Sequence, residues 1–277
     1  MSDRDVPGTG PGTDTGTGPG PGTGSGAAPA TGADPRPGAG PGHRPVVLVP
    51  GAWHGAWCWR RVERGLRAAG VDVTSVALTG VGERAHLASP QVGLRTHVDD
   101  VVAHLAAADL TDAVLVGHSY SGLVVREAAD REPERVGVVA LVDAWVGPDG
   151  SSLLAIAPAW FGDALTASAA AEGYGWLVPP PTPELVGVTD PDDAAWLTAH
   201  LTPHPYRTFT DATRLTGAVE RIPHRAAVCA EGLGLPFADL AATVAGVTDP
   251  VTLPGGHDAM VVAPDAVTEF VLAAAGC

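Results

Sequence analysis

The chain has 277 residues, of which 45% are hydrophobic and 17% are charged, a balance typical of a globular protein with a full apolar core. Its formal net charge of −15 argues against nucleic acids or anionic membranes as partners, because phosphate contacts need a basic surface. No apolar run is long enough to cross a bilayer. All 16 basic residues are arginines, which excludes chemistry that depends on a lysine, such as a Schiff base or a P-loop.

The first 45 residues differ from the rest of the chain. They are almost entirely Gly, Pro, Thr, Ser, Ala and Asp, a composition that cannot bury enough apolar surface to offset the entropy of ordering. We therefore predict a disordered tail over residues 1–45 and a folded domain over residues 46–277. The tail has no apolar segment of the kind found in secretory signals, so we expect a cytoplasmic protein.

Short apolar runs alternate with helical patterns from residue 46 to residue 144. Because the runs are apolar almost throughout, both faces of the sheet must be covered, which predicts a doubly wound, mostly parallel α/β sheet. On the helix predicted to start after Thr96, His97 and His104 are expected on the outer face. The predicted strands are 46–50, 71–78, 113–117 and 136–144, and the predicted helices are 59–69, 96–108 and 120–131.

The alternation breaks at Gly147. Residues 148–220 hold proline clusters and helix-like pieces such as 191–201, and we predict that they form an inserted, mainly helical cap. Its aromatic residues are candidates for lining an apolar pocket or for packing within the cap: Trp160, Phe161, Tyr174, Trp176, Trp196, Tyr206 and Phe209. The alternating pattern then resumes, with strands predicted at 225–230 and 247–254 and helices at 236–245 and 264–275.

The segment GHSYSG (117–122) places Ser119 between a predicted strand and a predicted helix. A G-x-S corner in this setting is typical of a nucleophile elbow, where a sharp turn presents the serine hydroxyl above the carboxyl edge of the sheet. The usual pattern has glycine two residues after the serine. Here Ser121 takes that place and Gly122 follows, and a serine is small enough for the close approach of helix and strand. Ser119 is therefore the predicted nucleophile.

A reactive serine needs a general base and two N–H donors for the oxyanion. His257, in LPGGHDAM, lies between the last strand and the last helix, where the base is expected in this topology. Its neighbour Asp258 is expected to be exposed or to act as a helix cap. The predicted oxyanion donors are Tyr120, which follows the nucleophile, and Ala52, in the loop after the first strand. Elsewhere, Glu83 and Arg84 are expected to pair and hold their loop.

Five blocks over residues 45–275 together resemble the α/β-hydrolase superfamily: VVLVPGAWHGAWCWRRV, LTGVGERAHL, GHSYSGLVV, LVDAWVGPDG and LPGGHDAMVVAPDAV. They look most like the branch that holds plant methylesterases, hydroxynitrile lyases and small bacterial esterase-like proteins. The resemblance implies the same nucleophile, base and oxyanion donors. It also places His54 and Trp57 near the substrate pocket, and His118 is a further candidate for substrate binding. One departure is that Pro50 precedes Gly51 where the family usually has His-Gly.

The resemblance does not identify the acidic residue that orients His257. In the better-known members an aspartate follows the strand predicted at 225–230, but this chain has Leu233 there. Asp143 is the first candidate, because it ends the preceding strand and some α/β-hydrolases place their acid at that point. Glu231 is the second candidate, and Asp239 lies further along the next helix. The acid must be able to reach the Nδ1–H of the histidine.

These residues predict a serine hydrolase that cleaves a carboxylic ester of a small to medium hydrophobic molecule. No metal and no organic cofactor is implied, and the three cysteines show neither disulfide nor zinc spacing. One alternative is a cofactor-free lyase or cyclase, in which Ser119 and His257 act as acid–base groups without an acyl-enzyme. Another alternative is a small-molecule binding protein with a vestigial site.

Overall fold

The computed structural model describes residues 42–231, 233–244 and 246–277. The predicted disordered tail, apart from residues 42–45, lies outside the described residues. No helix in the described ranges is long and apolar enough to cross a membrane.

A six-stranded parallel sheet forms the centre of the fold, with the strand order β2-β1-β3-β4-β7-β8. Two further strands, β5 and β6, form a separate antiparallel ribbon. The prediction of a doubly wound, mostly parallel sheet is confirmed. The strands are β1 (Val46–Val49), β2 (Val73–Ser75), β3 (Ala113–His118), β4 (Val136–Val142), β5 (Leu177–Val178), β6 (His204–Pro205), β7 (His224–Cys229) and β8 (Val251–Leu253).

Helices cover both faces of the sheet and fill the long insertion between β4 and β7. The α-helices are α1 (Arg60–Ala68), α2 (Leu94–Ala107), α3 (Ser121–Arg131), α4 (Leu153–Ile156), α5 (Ala159–Glu172), α6 (Pro191–His200), α7 (Arg207–Thr210), α8 (Phe237–Ala242), α9 (Ala259–Val262) and α10 (Pro264–Ala275). Short 3₁₀ helices are found at Ala56–Trp59, Gly82–Leu87, Pro183–Val186 and Val219–Arg221. Helices α4 to α7 and the β5–β6 ribbon occupy the stretch for which a cap is predicted.

Several predicted boundaries were wrong by a few residues. Strand β2 is shorter than the predicted 71–78, because Val76 and Leu78 continue as a buried loop beyond the last paired residue. Helix α2 begins at Leu94 rather than after Thr96. The Thr96 hydroxyl accepts a hydrogen bond from the Gly93 N–H at 3.3 Å, so it caps the helix from inside the first turn.

The sheet separates two apolar cores. Val47 and Val49 of β1 face one core, whereas Val46 and Leu48 face the other, as expected when alternate side chains of a strand point to opposite faces. Both sets are fully buried. The near-continuous apolar strands of the sequence are therefore explained by burial on both faces.

Strand order decides where a site can form. Strand β1 lies between β2 and β3, so the chain leaves β1 toward one side of the sheet and β3 toward the other. The loops that follow β1 and β3 consequently face each other across a crevice at the carboxyl edge, where open α/β sheets bind ligands. Strand β4 ends at the same edge, and the insertion between β4 and β7 starts there.

Candidate active site

The corner between β3 and α3 holds Ser119 in a backbone conformation that serine rarely adopts. Its φ angle is 53°, in the left-handed region, as a sharp strand-to-helix turn requires. Such a turn leaves no room beside Gly117, where a Cβ atom would come within 2.7 Å of Val125 Cγ2. At Gly122 a Cβ atom would collide with the carbonyl oxygen of Trp145. Gly117 therefore allows the close approach of α3 and β3, and Gly122 allows the close approach of α3 and the segment after β4.

A continuous hydrogen-bonded chain runs from Ser119 through His257 to Asp143. The Nε2 atom of His257 lies 2.8 Å from Ser119 Oγ, and its Nδ1 atom lies 2.6 Å from Asp143 Oδ2. Because a carboxylate only accepts, Nδ1–H donates to Asp143, and Nε2 is left free to accept the serine proton. All three side chains are buried. This is the arrangement in which a serine hydroxyl can be deprotonated as it attacks.

The second oxygen of Asp143 is also bonded. Asp143 Oδ1 accepts the backbone N–H of Cys229, at the end of β7, at 3.0 Å. The residue has a φ angle of 44°, which turns its side chain away from the direction of β4. The carboxylate is thus held at both oxygens before any substrate binds.

The other candidate acids lie elsewhere. The Glu231 side chain is exposed, and its backbone N–H donates to the Gly255 carbonyl at 3.0 Å. Asp239 is exposed in the first turn of α8. Neither side chain has a hydrogen bond to His257 among the contacts of the described residues, whereas Asp143 does.

The loop after β1 lies against the serine. A Cβ atom on Gly51 would come within 3.0 Å of Ser119 Cβ, so only glycine fits this approach. Ala52 follows and is buried at the same edge as Tyr120. Trp53 then has a φ angle of 66°. Two hydrogen bonds fix it to the insertion between β4 and β7. Its backbone N–H donates to His204 Nδ1 at 3.1 Å, and its indole N–H donates to the Val178 carbonyl at 3.0 Å.

A cavity of about 350 Å³ opens over this corner. Ser119, Ala52, Tyr120 and His257 form its polar end, and the described residues that complete it include no acidic or basic side chain. Those residues are Trp53, Trp145, Leu153, Trp160, Phe161, Ala164, Leu165, Ser168, Val178, Pro179, Pro180, Pro181, Leu185, Val186, Phe209, Leu233 and Leu235. The cavity thus suits an uncharged, apolar molecule.

The sequence itself matches the model of the alpha/beta hydrolase family over residues 46–270. The chain belongs to the alpha/beta hydrolase family. Among its relatives, a carbendazim hydrolyzing esterase from Nocardioides sp. (strain SG-4G) is 36% identical over 237 residues, which cover 82% of this chain and 98% of that protein. Methyl jasmonate esterase 1 from Vitis vinifera is 34% identical over 108 residues, or 38% of this chain and 41% of that esterase.

Solved structures agree on the fold. An extracellular alpha/beta-hydrolase from a Paenibacillus species superposes with a TM-score of 0.74 at 20% identity, over 84% of this chain and 99% of that chain. The structure of a methylesterase from Arabidopsis superposes with a TM-score of 0.63 at 23% identity, over 84% of this chain and 99% of that chain. The resemblance to this superfamily and the prediction of an enzyme with its fold are confirmed, and ester hydrolysis is the activity in the names of the relatives.

Three residues predicted to bind substrate do not line the cavity. His54, Trp57 and His118 are not among the described residues that line it. Trp57 packs edge-on against Trp196, with ring centroids 5.0 Å apart. His118 is buried and donates from Nε2 to the His257 carbonyl at 3.0 Å, while burial and the nearby His257 lower its pKa to about 3. These contacts favour a supporting role, and substrate contact is not proposed for these three residues.

Some expectations about single residues were wrong. His97 is fully buried rather than on an outer face, and its Nδ1 lies 3.0 Å from the Tyr120 hydroxyl. Glu83 does not pair with Arg84, because its carboxylate accepts the N–H groups of Ala56 and Trp57 at 3.1 and 3.0 Å. Arg84 instead binds Asp100. Within the insertion, only Trp160, Phe161 and Phe209 of the candidate aromatic residues line the cavity.

Two side-chain contacts near the site were not predicted from the sequence. The Ser121 hydroxyl, which stands where the family usually has glycine, donates to the Pro50 carbonyl and so joins the elbow to the loop after β1. The Phe237 ring stacks on His257, with centroids 5.1 Å apart and planes 10° from parallel. Neither contact can be read from a local pattern, because each joins residues that are distant along the chain.

Proposed function

We propose that this enzyme hydrolyses carboxylic esters of small to medium, uncharged and apolar molecules. Ser119 is the nucleophile, His257 the general base and acid, and Asp143 the residue that orients His257. The N–H groups of Ala52 and Tyr120 bind the oxyanion. The observation that carries the proposal is the buried chain Ser119–His257–Asp143, which ends at an apolar cavity.

The proposed reaction uses the hydrogen-bond geometry of the three side chains. Ser119 Oγ attacks the ester carbonyl while His257 Nε2, 2.8 Å away, takes its proton. Asp143 stabilises the imidazolium that forms, because its carboxylate already accepts the Nδ1–H bond at 2.6 Å. The carbonyl oxygen becomes negatively charged at the start of α3, where backbone N–H groups and the helix dipole favour an anion. His257 then protonates the leaving alkoxide, and water releases the acid from Ser119 by the same steps in reverse order.

The lining of the cavity supports an uncharged, apolar substrate class. A charged group buried among its aliphatic, aromatic and proline side chains would lose its hydration without gaining a partner. Its volume of about 350 Å³ limits the molecule to a small or medium size. The esterase relatives support ester hydrolysis, and the name of the bacterial relative makes carbendazim one compound to test.

The test is hydrolysis of a p-nitrophenyl ester series by the wild type and by Ser119→Ala, purified in the same way. We expect the wild type to turn over acetate to hexanoate esters and kcat of the variant to fall by at least about 10⁴-fold, since triad members act as a unit. Mass spectrometry after rapid quenching should show an acyl group on Ser119. A folded wild type that neither turns over these esters nor carries an acyl group on Ser119 would instead favour a lyase-type reaction. Tight ligand binding without turnover, unchanged in Ser119→Ala, would favour a binding protein.

A further inference from the structure

Two buried ionisable residues lie beside the proposed triad without belonging to it. Asp258 follows His257 in the chain and is 0% exposed, so the expectation of an exposed side chain was wrong. It stands at the N-cap position of α9, but its side chain makes no capping hydrogen bond. Its Oδ2 atom lies 2.9 Å from Nε2 of His54, which is also buried. The other nitrogen of His54, Nδ1, lies 2.7 Å from the carbonyl oxygen of Ala52.

The proton positions follow from these partners. A backbone carbonyl can only accept, so the Nδ1 atom of His54 must carry a proton. A second proton then lies in the hydrogen bond between His54 Nε2 and the Asp258 carboxylate. Burial by itself lowers the pKa of His54, but the charge and hydrogen bond of Asp258 outweigh it and raise the pKa above its ordinary value. Burial likewise works to raise the pKa of Asp258, but His54 lowers it overall.

The pair connects two loops that meet only in the folded chain. His54 bonds the carbonyl of Ala52, in the loop after β1. Asp258 lies in the loop that carries His257, and its backbone N–H donates to the Val186 carbonyl at 3.0 Å. His54 and Asp258 are 204 positions apart in the sequence. The distance from Ala52 to His257 is therefore set in part by this pair.

We propose that His54 and Asp258 are positioning residues for catalysis: the hydrogen-bonded chain Ala52 C=O–His54–Asp258 holds the Ala52 N–H in register with Ser119 and His257. The inference rests on the proposed function, because it assigns Ala52 to the oxyanion hole. It gives His54 a role other than the predicted contact with substrate.

The position of the Ala52 peptide is sensitive to such support. Pro50, Gly51 and Ala52 lie outside any helix or strand, so no ladder fixes them. On one side the Ser121 hydroxyl bonds Pro50, and on the other side His54 bonds Ala52. An oxyanion donor must meet the reacting oxygen at hydrogen-bond distance, and a shift of about 1 Å costs about a hundredfold in rate. Loss of the His54 bond is thus expected to act on the transition state.

The experiment compares His54→Phe, Asp258→Asn and the double variant His54→Phe/Asp258→Leu with the wild type. The readouts are kcat and KM for a p-nitrophenyl ester, the inhibition constant of a trifluoromethyl ketone that forms an oxyanion on Ser119, and thermal unfolding. His224→Phe is the matched control, because His224 is a buried histidine at the start of β7, the opposite end of the strand from the site.

We expect His54→Phe to lower kcat and trifluoromethyl ketone affinity by about 10- to 100-fold, with KM within about threefold. Asp258→Asn should keep kcat within about threefold of the wild type, because the amide can donate to a neutral His54 that still bonds Ala52. The double variant leaves no unpaired buried charge, so it should unfold near the wild-type temperature while kcat stays low. His224→Phe should leave kcat unchanged.

A folded double variant with wild-type kcat and wild-type inhibitor affinity would overturn the positioning role and leave the proposed function intact. A rise in KM without a fall in kcat would also overturn it, because that result points to a purely structural role. A wild type without Ser119-dependent hydrolysis would overturn the proposed function and this inference together.

Discussion

The carboxyl edge of the sheet and the insertion between β4 and β7 line the same cavity with different chemistry. At the sheet edge, Ser119, Asp143 and His257 are buried and hydrogen-bonded to one another. The insertion contributes apolar side chains, and some are largely open to solvent, such as Trp160, which is 58% exposed. Atoms that react must be placed within a fraction of an ångström, whereas an apolar wall needs only approximate shape.

This difference predicts a division of labour. Changes at the sheet edge should act mainly on kcat, because they alter interactions made in the transition state. Changes in the insertion should act mainly on KM, because apolar contacts hold the ground state and the transition state about equally.

The largest expected effect separates the two candidate acids. Asp143→Asn should lower kcat by about 10³- to 10⁴-fold, because an amide favours the wrong tautomer of the histidine. Glu231→Gln is the matched control and should stay within about twofold of the wild type, since the Glu231 side chain is exposed and makes no bond to His257. Steady-state kinetics with one ester decides the matter, and a large loss in Glu231→Gln with an active Asp143→Asn would reverse the assignment.

Acid should destabilise both regions through their buried histidines. Burial lowers the pKa of His118 to about 3 and that of His224 to about 4, and it holds His204, in β6, well below the usual range. A histidine in the unfolded chain has a pKa of about 6.5. Between the folded-state pKa and this value, the unfolded chain therefore binds more protons than the folded chain. The free energy of unfolding should therefore fall as the pH drops from about 6.5 toward 4, by about 1.4 kcal/mol per pH unit for each such histidine.

Urea unfolding at pH 7, 6 and 5 measures this slope. Replacing His224 by Phe removes one titrating group and should make the slope shallower by about 1.4 kcal/mol per pH unit. An unchanged slope would show that His224 is not held neutral in the folded state. His54 should act in the opposite direction, because its raised pKa gives stability that is lost as the pH rises through that pKa.

The smallest effects are expected in the insertion. Phe161→Ala removes an aromatic wall of the cavity and should raise KM for long-chain esters about three- to tenfold while kcat changes by less than about threefold. Tyr174→Ala is the control, because Tyr174 is 89% exposed and does not line the cavity. Kinetics with acetate and hexanoate esters compares the two. A fall in kcat for Phe161→Ala without a change in KM would contradict the division of labour.

Local patterns in the sequence were sufficient for much of the fold. The apolar runs around β1, β3 and β4 predicted a buried parallel sheet, because strands buried on both faces carry few polar residues. The corner at Ser119 and the glycines before His257 were recognisable for a related reason, since a sharp turn restricts the residues beside it. The end of β2 was less predictable, because a buried loop can be as apolar as a strand.

Side-chain partners were harder to predict. Whether Asp143 or Glu231 faces His257 depends on where two strand ends lie relative to a distant loop. His97 and Asp258 were expected at the surface because histidine and aspartate usually lie there. Each is buried with a partner from a distant part of the sequence, Tyr120 for His97 and His54 for Asp258.

The sequence by itself determined the alternation of strands and helices, the elbow at Ser119 and the topological place of His257, because each depends on neighbours along the chain. Only the tertiary structure decided that Asp143 is hydrogen-bonded to His257, that His54 does not line the cavity and that Asp258 is the buried partner of His54. The physical reason is that hydrogen bonds and burial depend on distances in space, and packing brings together residues that no local pattern relates.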